Sequence, residues 1–208
     1  ELAVADFALS PSRYLGRPLV IKDAKRLGDI TREIRRGATL RAGDLDKMAV
    51  NNATEYHYLM LRDIQDGTIA DELPYLNGID EKLEKHCIED GDVLLSKNGA
   101  PFKVTVAEVP ENTTILANGN LYILKVDRSL INPYYLAAFL GSNKGMEVLS
   151  SAVVGVTIPS IPLRTLREVP VPVPPLEEQE EIVATYQAKL DEVRILKLRA
   201  QRAIDEVR

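Results

Sequence analysis

The chain has 208 residues, of which 45% are hydrophobic and 27% charged, so it can bury the core of one ordinary domain with an appendage. Its single cysteine, Cys87, excludes an intrachain disulfide and a multi-cysteine zinc site, and it favours a reducing, cytoplasmic setting. No stretch approaches the roughly 20 apolar residues of a membrane span, and no signal peptide is visible. The first residue is Glu1, so we expect a piece of a longer protein.

The net charge of −5 argues against nucleic-acid binding, but the charges are unevenly distributed. Residues 10–50 hold ten Lys and Arg against five Asp and Glu, whereas residues 51–127 hold six against fourteen. Because a folded protein presents faces rather than averages, a local basic face is compatible with this acidic total.

Most elements predicted before residue 127 are strands. One helix is expected near the start, because Leu27, Ile30 and Ile34 have helical spacing and a glycine at 37 would end it. The strands are predicted in "YHYLML", "DVLLS", "KVTVAEV" and the two apolar runs of "TTILANGNLYILKVD". Turns or loops are expected at three places: Gln65–Gly67, Lys97–Phe102 and Asn118–Asn120.

After residue 130 the pattern changes to helices. Asn132 can cap a helix whose first residue is Pro133, and a second helix is predicted to begin near Ser142 or Asn143. A proline-rich strap then runs to Pro175. Because proline fixes φ and favours extended geometry, we expect the strap to carry the chain off the globular body.

The segment from Leu176 to Arg208 contains no Gly or Pro and predicts a single helix about 45 Å long. Its apolar residues recur in steps of three and four, which makes a weak heptad seam. Such a stripe cannot be buried against itself, so we expect the helix to lie on another helix, of this chain or of a second one. The residues expected to form this assembly seam are Ile182, Tyr186, Leu190, Val193, Leu196, Ala200, Ile204 and Val207.

These patterns predict an α+β protein with two parts. Residues 1–175 are expected to form a β-rich globular domain, and residues 176–208 a long C-terminal helix of the coiled-coil type. The helix is interpreted as a spacer or dimerisation arm.

Several motifs occur in an order that resembles a known family: "GDVLLSKNGAPFKVTVAE", "INPYYLAAFLGSNKG", "GVTIPSIPLRTL" and "VPVPPLEEQEEIV". They are similar to motifs of the target-recognition domain of type I restriction-modification specificity (S) subunits. The resemblance covers most of Lys25–Arg208. It implies a β-rich domain that reads one half of a split DNA site, with long helices that separate two such domains and dock methyltransferase subunits.

A full S subunit resembles two copies of this unit, whereas this chain has one copy and one helix. The chain is therefore expected to be either a half-subunit that pairs through its helix or the C-terminal recognition domain of a fused adenine-N6 DNA methyltransferase. The stretch "FALSPSRYL" is similar to the end of the methyltransferase domain in fused proteins and favours the second form. The resemblance implies S-adenosylmethionine in the partner or fused domain, and no cofactor in this chain.

No catalytic constellation is visible in the sequence. "NPYY" at Asn132–Tyr135 lacks the second Pro of the adenine-methyltransferase motif and a nearby Gly-rich loop, so it is interpreted as a helix start. His57 and His86 have no ligand-type neighbours and are interpreted as structural. The chain is therefore expected to bind without catalysing a reaction and without a metal.

The DNA-binding candidates are basic and amide side chains, many of them near turns. Arg offers a planar fork to phosphates and guanine edges, and Asn in a short loop can reach base edges. The same residues also have ordinary interpretations, the Arg cluster as an exposed helix face and Asn-Gly as a simple turn. The candidates are Arg32, Arg35, Arg36, Arg41, Lys47, Lys97, Asn98, Lys103, Asn118, Asn120, Lys144 and Thr157.

The resulting hypothesis is sequence-specific recognition of double-stranded DNA by a half-site reader. It would direct an adenine-N6 methyltransferase or type I restriction complex in a bacterial or archaeal cytoplasm. The expected partners are DNA, a methyltransferase domain or subunit, and a second copy through the helix, with no membrane. The alternative, which the acidic net charge favours, is a protein-interaction scaffold that oligomerises through the helix. Salt-dependent DNA binding separates the two.

Overall fold

The computed structural model describes residues 21, 23–155 and 159–205, and for residues 193, 194, 197, 201 and 203–205 it describes the backbone alone. The strands in this part are β1 (Ala24–Arg26), β2 (Thr31–Arg36), β3 (Ala49–Val50), β4 (Tyr56–Leu59), β5 (Ile64–Gln65), β6 (Thr68–Ile69), β7 (Tyr75–Leu76), β8 (Cys87–Ile88), β9 (Val93–Ser96), β10 (Val104–Val106), β11 (Thr114–Ala117), β12 (Leu121–Val126) and β13 (Pro170–Pro172). The α-helices are α1 (Ala42–Met48), α2 (Glu81–Glu84), α3 (Pro133–Gly141), α4 (Asn143–Ser151), α5 (Leu163–Arg167) and α6 (Leu176–Asp205), with 3-10 helices at Leu27–Asp29 and Leu61–Asp63.

Two sheets form the centre of the fold. Sheet I has the strand order β3-β7-β4-β11-β8, and sheet II has the order β10-β9-β12-β2. Strands β4 and β11 are parallel, whereas the strands of sheet II are antiparallel to their neighbours. The pair β1–β13 and the hairpin β5–β6 lie outside these two sheets.

Sheet I packs face to face on sheet II. Leu94 and Ile123 of sheet II meet Leu59 and Ile115 of sheet I in one buried apolar cluster. Helices α1 and α2 cover the outer face of sheet I, and α3, α4 and the start of α6 cover the outer face of sheet II. This layered arrangement confirms the α+β class with its long C-terminal helix, and it leaves the loops at both ends of the sheets open to solvent.

The helix predicted across Leu27, Ile30 and Ile34 is wrong, because a 3-10 turn followed by strand β2 occupies this stretch. Leu27 and Ile30, both fully buried, bracket the turn, and Ile34 is buried from the strand. A 3-10 turn followed by a strand therefore places buried apolar residues at the same spacing as a helix, which explains the wrong prediction. Antiparallel pairing with β12 outweighs the weak strand preference of the charged residues in β2.

Both apolar runs around the Asn-Gly turn are strands, as predicted, but they do not pair with each other. Strand β11 lies in sheet I between β4 and β8, while β12 lies in sheet II between β9 and β2. The turn at Asn118–Asn120 therefore carries the chain from one sheet to the other instead of closing a hairpin.

The predicted helix starts after residue 130 are confirmed. The Asn132 side chain accepts a hydrogen bond from the Tyr134 amide at 2.9 Å, and Pro133 is the first residue of α3. Ser142 caps α4 in the same way, by accepting a hydrogen bond from the Gly145 amide at 3.1 Å. Side-chain oxygens thus satisfy amide groups that a helix start leaves unpaired.

The proline strap does not leave the globular body, contrary to the expectation from its sequence. Val169 and Val171 are buried, and Pro170–Pro172 forms β13, which pairs with β1. The Leu27 amide donates to the Val169 carbonyl at 2.8 Å. Proline is tolerated in such a two-stranded pair because each strand has a free edge. The strap is therefore the last strand of the domain.

Helix α6 begins against the domain, where one buried side chain anchors it. Gln179 is fully buried, and its amide nitrogen donates to the carbonyls of Leu130 at 3.0 Å and Pro174 at 2.8 Å. Its side-chain oxygen accepts from the Asn132 amide at 2.8 Å. Val183, one turn later, is buried in the same core as α3. The start of α6 is therefore fixed in direction by packing.

The next turns of α6 lie beside the β5–β6 hairpin. Tyr186 and Leu190 are half-buried over Gly67 at the tip of that hairpin. Ile182, on a neighbouring face, is 39% exposed. Part of the expected seam is thus covered by this same chain.

The distal part of α6 presents its described apolar side chains to solvent. Leu196 is 55% exposed, and Ala200 is exposed as well. The side chains of Val193 and Ile204, and the whole of Val207, lie outside the described residues. Pairing of this seam with a second helix stays a prediction.

Candidate nucleic-acid interface

Four segments meet at one end of the two sheets, and we call them together the basic edge: residues 36–41, 97–103, 118–122 and 159–162. They hold four Lys and Arg, namely Arg36, Arg41, Lys97 and Lys103, and no Asp or Glu. Strands β2, β9 and β11 all run toward this end, and β12 starts from it. The loops that follow these strands are therefore collected in one place.

Backbone hydrogen bonds join the four segments to one another. The Gly37 amide donates to the Leu121 carbonyl at 3.0 Å, and the Lys97 amide donates to the Asn120 carbonyl at 2.7 Å. The Ile161 amide donates to the Lys97 carbonyl at 3.1 Å. The basic edge is thus a hydrogen-bonded surface, in which each loop is held by its neighbours.

The Asn-Gly turn is hydrogen-bonded to the end of strand β4 in sheet I. The Asn118 amide donates to the Leu59 carbonyl at 2.9 Å, and its side-chain nitrogen donates to the Tyr58 hydroxyl at 2.6 Å. The Asn118 side-chain oxygen accepts from the Asn120 amide at 2.9 Å. Since Tyr58 is 1% exposed, the turn is anchored to a buried ring.

Segment 36–41 packs closely against the same turn, and a glycine lies at each of the two contact points. A Cβ at Gly119 would lie 2.5 Å from the Thr39 hydroxyl, and a Cβ at Gly37 would collide with the backbone of Asn118. The Arg36 side chain also donates a hydrogen bond to the Gly119 carbonyl. Only glycine permits this close approach, so the two segments interlock.

Three of the predicted DNA-binding side chains have polar groups engaged within the protein. The Lys103 amine donates to the carbonyls of Leu61 at 3.1 Å and Ile64 at 2.7 Å. Arg36 and Asn118 hold the Asn-Gly turn. Their geometry fits a supporting role, while Arg36 and Lys103 still add positive charge to the basic edge.

Arg35 lies apart from the basic edge, at the margin between the two sheets. One of its nitrogens donates to the Cys87 carbonyl at 2.9 Å and another to Glu33 at 3.4 Å, so it ties β2 to β8. Its side chain is only 20% exposed. Burial also raises the pKa of the Cys87 thiol to about 11, which keeps this thiol protonated at neutral pH.

The remaining predicted residues lie elsewhere. Arg32 pairs with Asp127 at 3.5 Å, at the opposite end of β2. Lys47 lies in the last turn of α1, and Lys144 forms an ion pair within α4. Thr157 is outside the described residues.

Several polar groups at the basic edge have no side-chain partner among the described residues. Within the described residues, the side chains of Arg41, Lys97 and Asn120 make no hydrogen bond or ion pair, and Asn120 and Arg41 are exposed. The Asn98 side-chain oxygen is buried without a partner, and its backbone bridges to Ser160. These groups have unused hydrogen-bonding capacity.

The opposite ends of the same strands form a second surface, the acidic edge, made of residues 89–92, 107–111 and 127–129. It holds six Asp and Glu and one Arg. Asp92 is 4% exposed, and burial raises the pKa of its carboxyl, whereas a hydrogen bond from Lys125 lowers the pKa of Glu89. The molecule therefore carries opposite charge at its two ends.

The sequence interpretation missed the residues that hold the Asn-Gly turn. Tyr58 and Thr39 had no local signal, because Tyr58 lies 60 positions before Asn118. Gly37 was visible, but it was interpreted as a helix stop. Its real role depends on a close approach between chain segments, which is a tertiary property.

The two histidines make ordinary contacts. The His86 ring nitrogen Nδ1 is 2.8 Å from the Arg36 carbonyl, and the His57 ring centroid is 4.9 Å from that of Tyr75. Among the described residues, no group of three or more His, Cys, Asp or Glu is placed to hold a metal ion. In the same part of the chain, no helix is both long and apolar enough to cross a membrane.

Residues 22–203 match the family described as the type I restriction modification DNA specificity domain. The chain belongs to this family. A putative type I restriction enzyme MjaX specificity subunit from Methanocaldococcus jannaschii is 28% identical to this specificity domain over 165 residues, which cover 77% of the chain and 37% of the relative. The chain thus spans well under half the length of that relative.

Solved structures share the fold of this specificity domain. A chain from a structure of the type I R-M system has a TM-score of 0.57 at 23% identity, covering 93% of this chain and 44% of that one. The type I S subunit from M. genitalium also has a TM-score of 0.57, at 14% identity, covering 84% of this chain and 40% of that one. The fold inferred from the motif order is therefore confirmed.

Proposed function

We propose that this specificity domain reads one half of a split site in double-stranded DNA and directs an adenine-N6 methyltransferase or type I restriction complex to it. The observation that carries the proposal is the basic edge, where four cations and no acid surround amide side chains with unused hydrogen-bonding capacity. Cations attract the phosphates and position the protein, while amides at loop tips can reach base edges. Arg41 and Lys97 are the proposed phosphate contacts.

Selection from a random pool of double-stranded DNA at low salt tests this function. The variant Arg41→Glu/Lys97→Glu reverses two charges at the basic edge, and Lys25→Glu/Arg32→Glu reverses two exposed charges outside it, in β1 and at the far end of β2. Both variants change the net charge equally. We expect the original chain and the second variant to enrich the same short motif, and the first variant to enrich none.

A result without enrichment, for the chain alone and for the chain joined to a methyltransferase domain, would reject DNA reading in favour of the scaffold. Enrichment only in the joined form would mean that the enzyme is needed to hold the domain on DNA. Arg35 and Arg36 are unsuitable for this test, because they hold the fold through backbone carbonyls.

For assembly, we propose that α6 pairs with a second helix, and its charges favour an antiparallel pair of two copies. Residues 177–188 contain four Glu and no Lys or Arg, whereas residues 194–202 contain four Lys and Arg and no acid. A two-fold axis near Leu190 would set each acidic stretch against the basic stretch of the other copy. A groove of about 590 Å³ between α3 and α6, lined partly by Phe139 and Ile182, leaves room for a partner side chain.

Sedimentation at low and high salt tests this pairing. In the proposed register Glu178 faces Arg202 and Glu181 faces Arg199. We expect Glu178→Lys/Glu181→Lys to weaken the dimer, and the further changes Arg199→Glu/Arg202→Glu to restore it. A chain that sediments as a monomer at all concentrations and salt levels would contradict the homodimer.

The proposed enzymatic partner is an adenine-N6 DNA methyltransferase, fused or separate, which would hold S-adenosylmethionine. We place the complex in a bacterial or archaeal cytoplasm, and the chain itself would contribute binding without catalysis. Family membership supports these assignments. Transfer of labelled methyl groups to DNA that carries the selected motif, measured with and without this chain, tests them.

A further inference from the structure

The Asn-Gly turn is fixed more firmly than a connection between two strands requires. The Asn118 side chain donates a hydrogen bond to the hydroxyl of the buried Tyr58, and the Gly119 carbonyl accepts one from Arg36. The Asn120 carbonyl accepts one from the Lys97 amide at 2.7 Å. Gly119 is buried against segment 36–41. Because β11 and β12 belong to different sheets, hairpin pairing does not account for this rigidity.

One side chain projects from this fixed turn. Asn120 is exposed, and although its backbone groups are bonded on both sides, its side-chain amide has no partner among the described residues. Its surroundings at the basic edge contain Arg36 and Lys97 and no carboxylate. A free amide on a fixed backbone loses little conformational entropy when it binds, so it is preorganised for a polar ligand.

We propose that Asn120 is a specificity-determining residue that reads an adenine edge in the DNA half-site, and that Tyr58 and Arg36 are positioning residues for it. This inference rests on the proposed DNA-reading function. An amide presents one acceptor and two donor hydrogens, which match the N6 amino group and N7 of adenine in the major groove. Tyr58 and Arg36 act through the turn and touch no base.

Binding measurements on the full chain, with selected and scrambled DNA duplexes, test the inference. Asn120→Ala should lose the preference for an A·T pair at one position by about 5- to 150-fold, the range for one bidentate pair, while binding to scrambled DNA changes less than about twofold. Asn52→Ala, which removes an exposed amide from the loop before β4, should change neither quantity.

The positioning role has its own test. Tyr58→Phe removes the 2.6 Å hydrogen bond to Asn118 and keeps the buried ring. We expect it to reduce discrimination at the same position by a smaller factor, with scrambled-DNA binding retained. If Tyr58→Phe does not fold, Asn118→Ala removes the same bond from the half-buried turn residue, together with the bond to the Asn120 amide.

The outcomes separate this inference from the proposed function. If Asn120→Ala selects the original motif with undiminished preference at every position, DNA reading stands and the role of Asn120 is rejected. If the original chain selects no motif, alone or joined to its enzyme, both proposals are rejected. Loss of preference at one A·T position, with scrambled-DNA binding intact, supports both.

Discussion

The two ends of the sheets are built from the same strands, have loops that are hydrogen-bonded to one another, and carry opposite charge. The basic edge has four cations and no acid, and its loops are bonded to one another. The acidic edge has six acids and one Arg, and its Glu89 and Asp92 form ion pairs with Lys125 of β12 at 2.7 and 3.4 Å. The difference shows that strand direction, and not overall composition, decides which charges meet.

A net charge of −5 is therefore a poor guide to this molecule. A phosphate chain near the basic edge would meet a local excess of four positive charges, while the acids lie at the far ends of the strands. At physiological salt, charges further apart than about 8 Å are largely screened. Such a separation lets an acidic protein present a cationic surface.

The largest expected effect is a loss of stability when the packing of the basic edge is disrupted. Gly37→Ala would force a Cβ into the backbone of Asn118, and we expect it to lower the free energy of unfolding by about 3 kcal/mol, at the upper end for overpacking. Gly43→Ala in α1, where a Cβ meets open space, should instead stabilise by about 0.5–1 kcal/mol. Urea denaturation of both variants measures this, and equal stabilities would contradict the interlocked turn.

The next largest effect concerns the contact that anchors the start of α6 to the domain. Gln179→Ala leaves the Asn132 amide and the Leu130 and Pro174 carbonyls without their buried partner, and we expect a loss of about 2 kcal/mol. Gln187→Ala, on the exposed face of the same helix, should change stability by less than about 0.5 kcal/mol. Hydrogen exchange should show faster opening in the first turns of α6 for Gln179→Ala alone.

A smaller effect is expected on the salt dependence of DNA binding when charges of the basic edge are removed. If Arg41 and Lys97 each contact one phosphate, Arg41→Gln/Lys97→Gln should reduce the slope of log affinity against log salt by about 2. Lys25→Gln/Arg32→Gln should leave that slope unchanged. A similar decrease for both pairs would show that net charge, and not the basic edge, determines binding.

The smallest effect concerns the acidic edge. Glu108→Gln/Glu111→Gln removes two exposed acids, and we expect DNA affinity to change by less than about twofold at physiological salt, because the screening length is about 8 Å. Fluorescence anisotropy with the selected duplex measures this. A rise of tenfold or more would mean that DNA also passes this end of the domain.

The sequence predicted those features that depend on local chemistry. The cap at Asn132, the start of α4, the strands in "DVLLS" and "KVTVAEV" and the long helix are all present. The order of motifs also led to the correct family. The caps, strands and helix are set by propensities and patterns of neighbouring residues, and the family was visible in the order of motifs along the chain.

The failures all involve partners far away in sequence. Strand β2 was predicted as a helix, since its pairing with β12 connects residues about 90 positions apart. The prolines of β13 were expected to leave the body, because its partner β1 lies near the other end of the chain. For the candidate site, residue types were visible, but only tertiary contacts show that Arg35 is held at Cys87 while Asn120 is free.

The pairing of β1 with β13 places the entrance and the exit of the domain side by side, with Ala24 opposite Pro172. Whatever precedes the domain in a longer chain therefore joins it next to the point where α6 departs. Domains whose ends are adjacent can be exchanged between proteins with little disturbance to their surroundings. The fold thus forms a unit whose two connections lie together, so that one such unit could replace another without moving the segments attached to it.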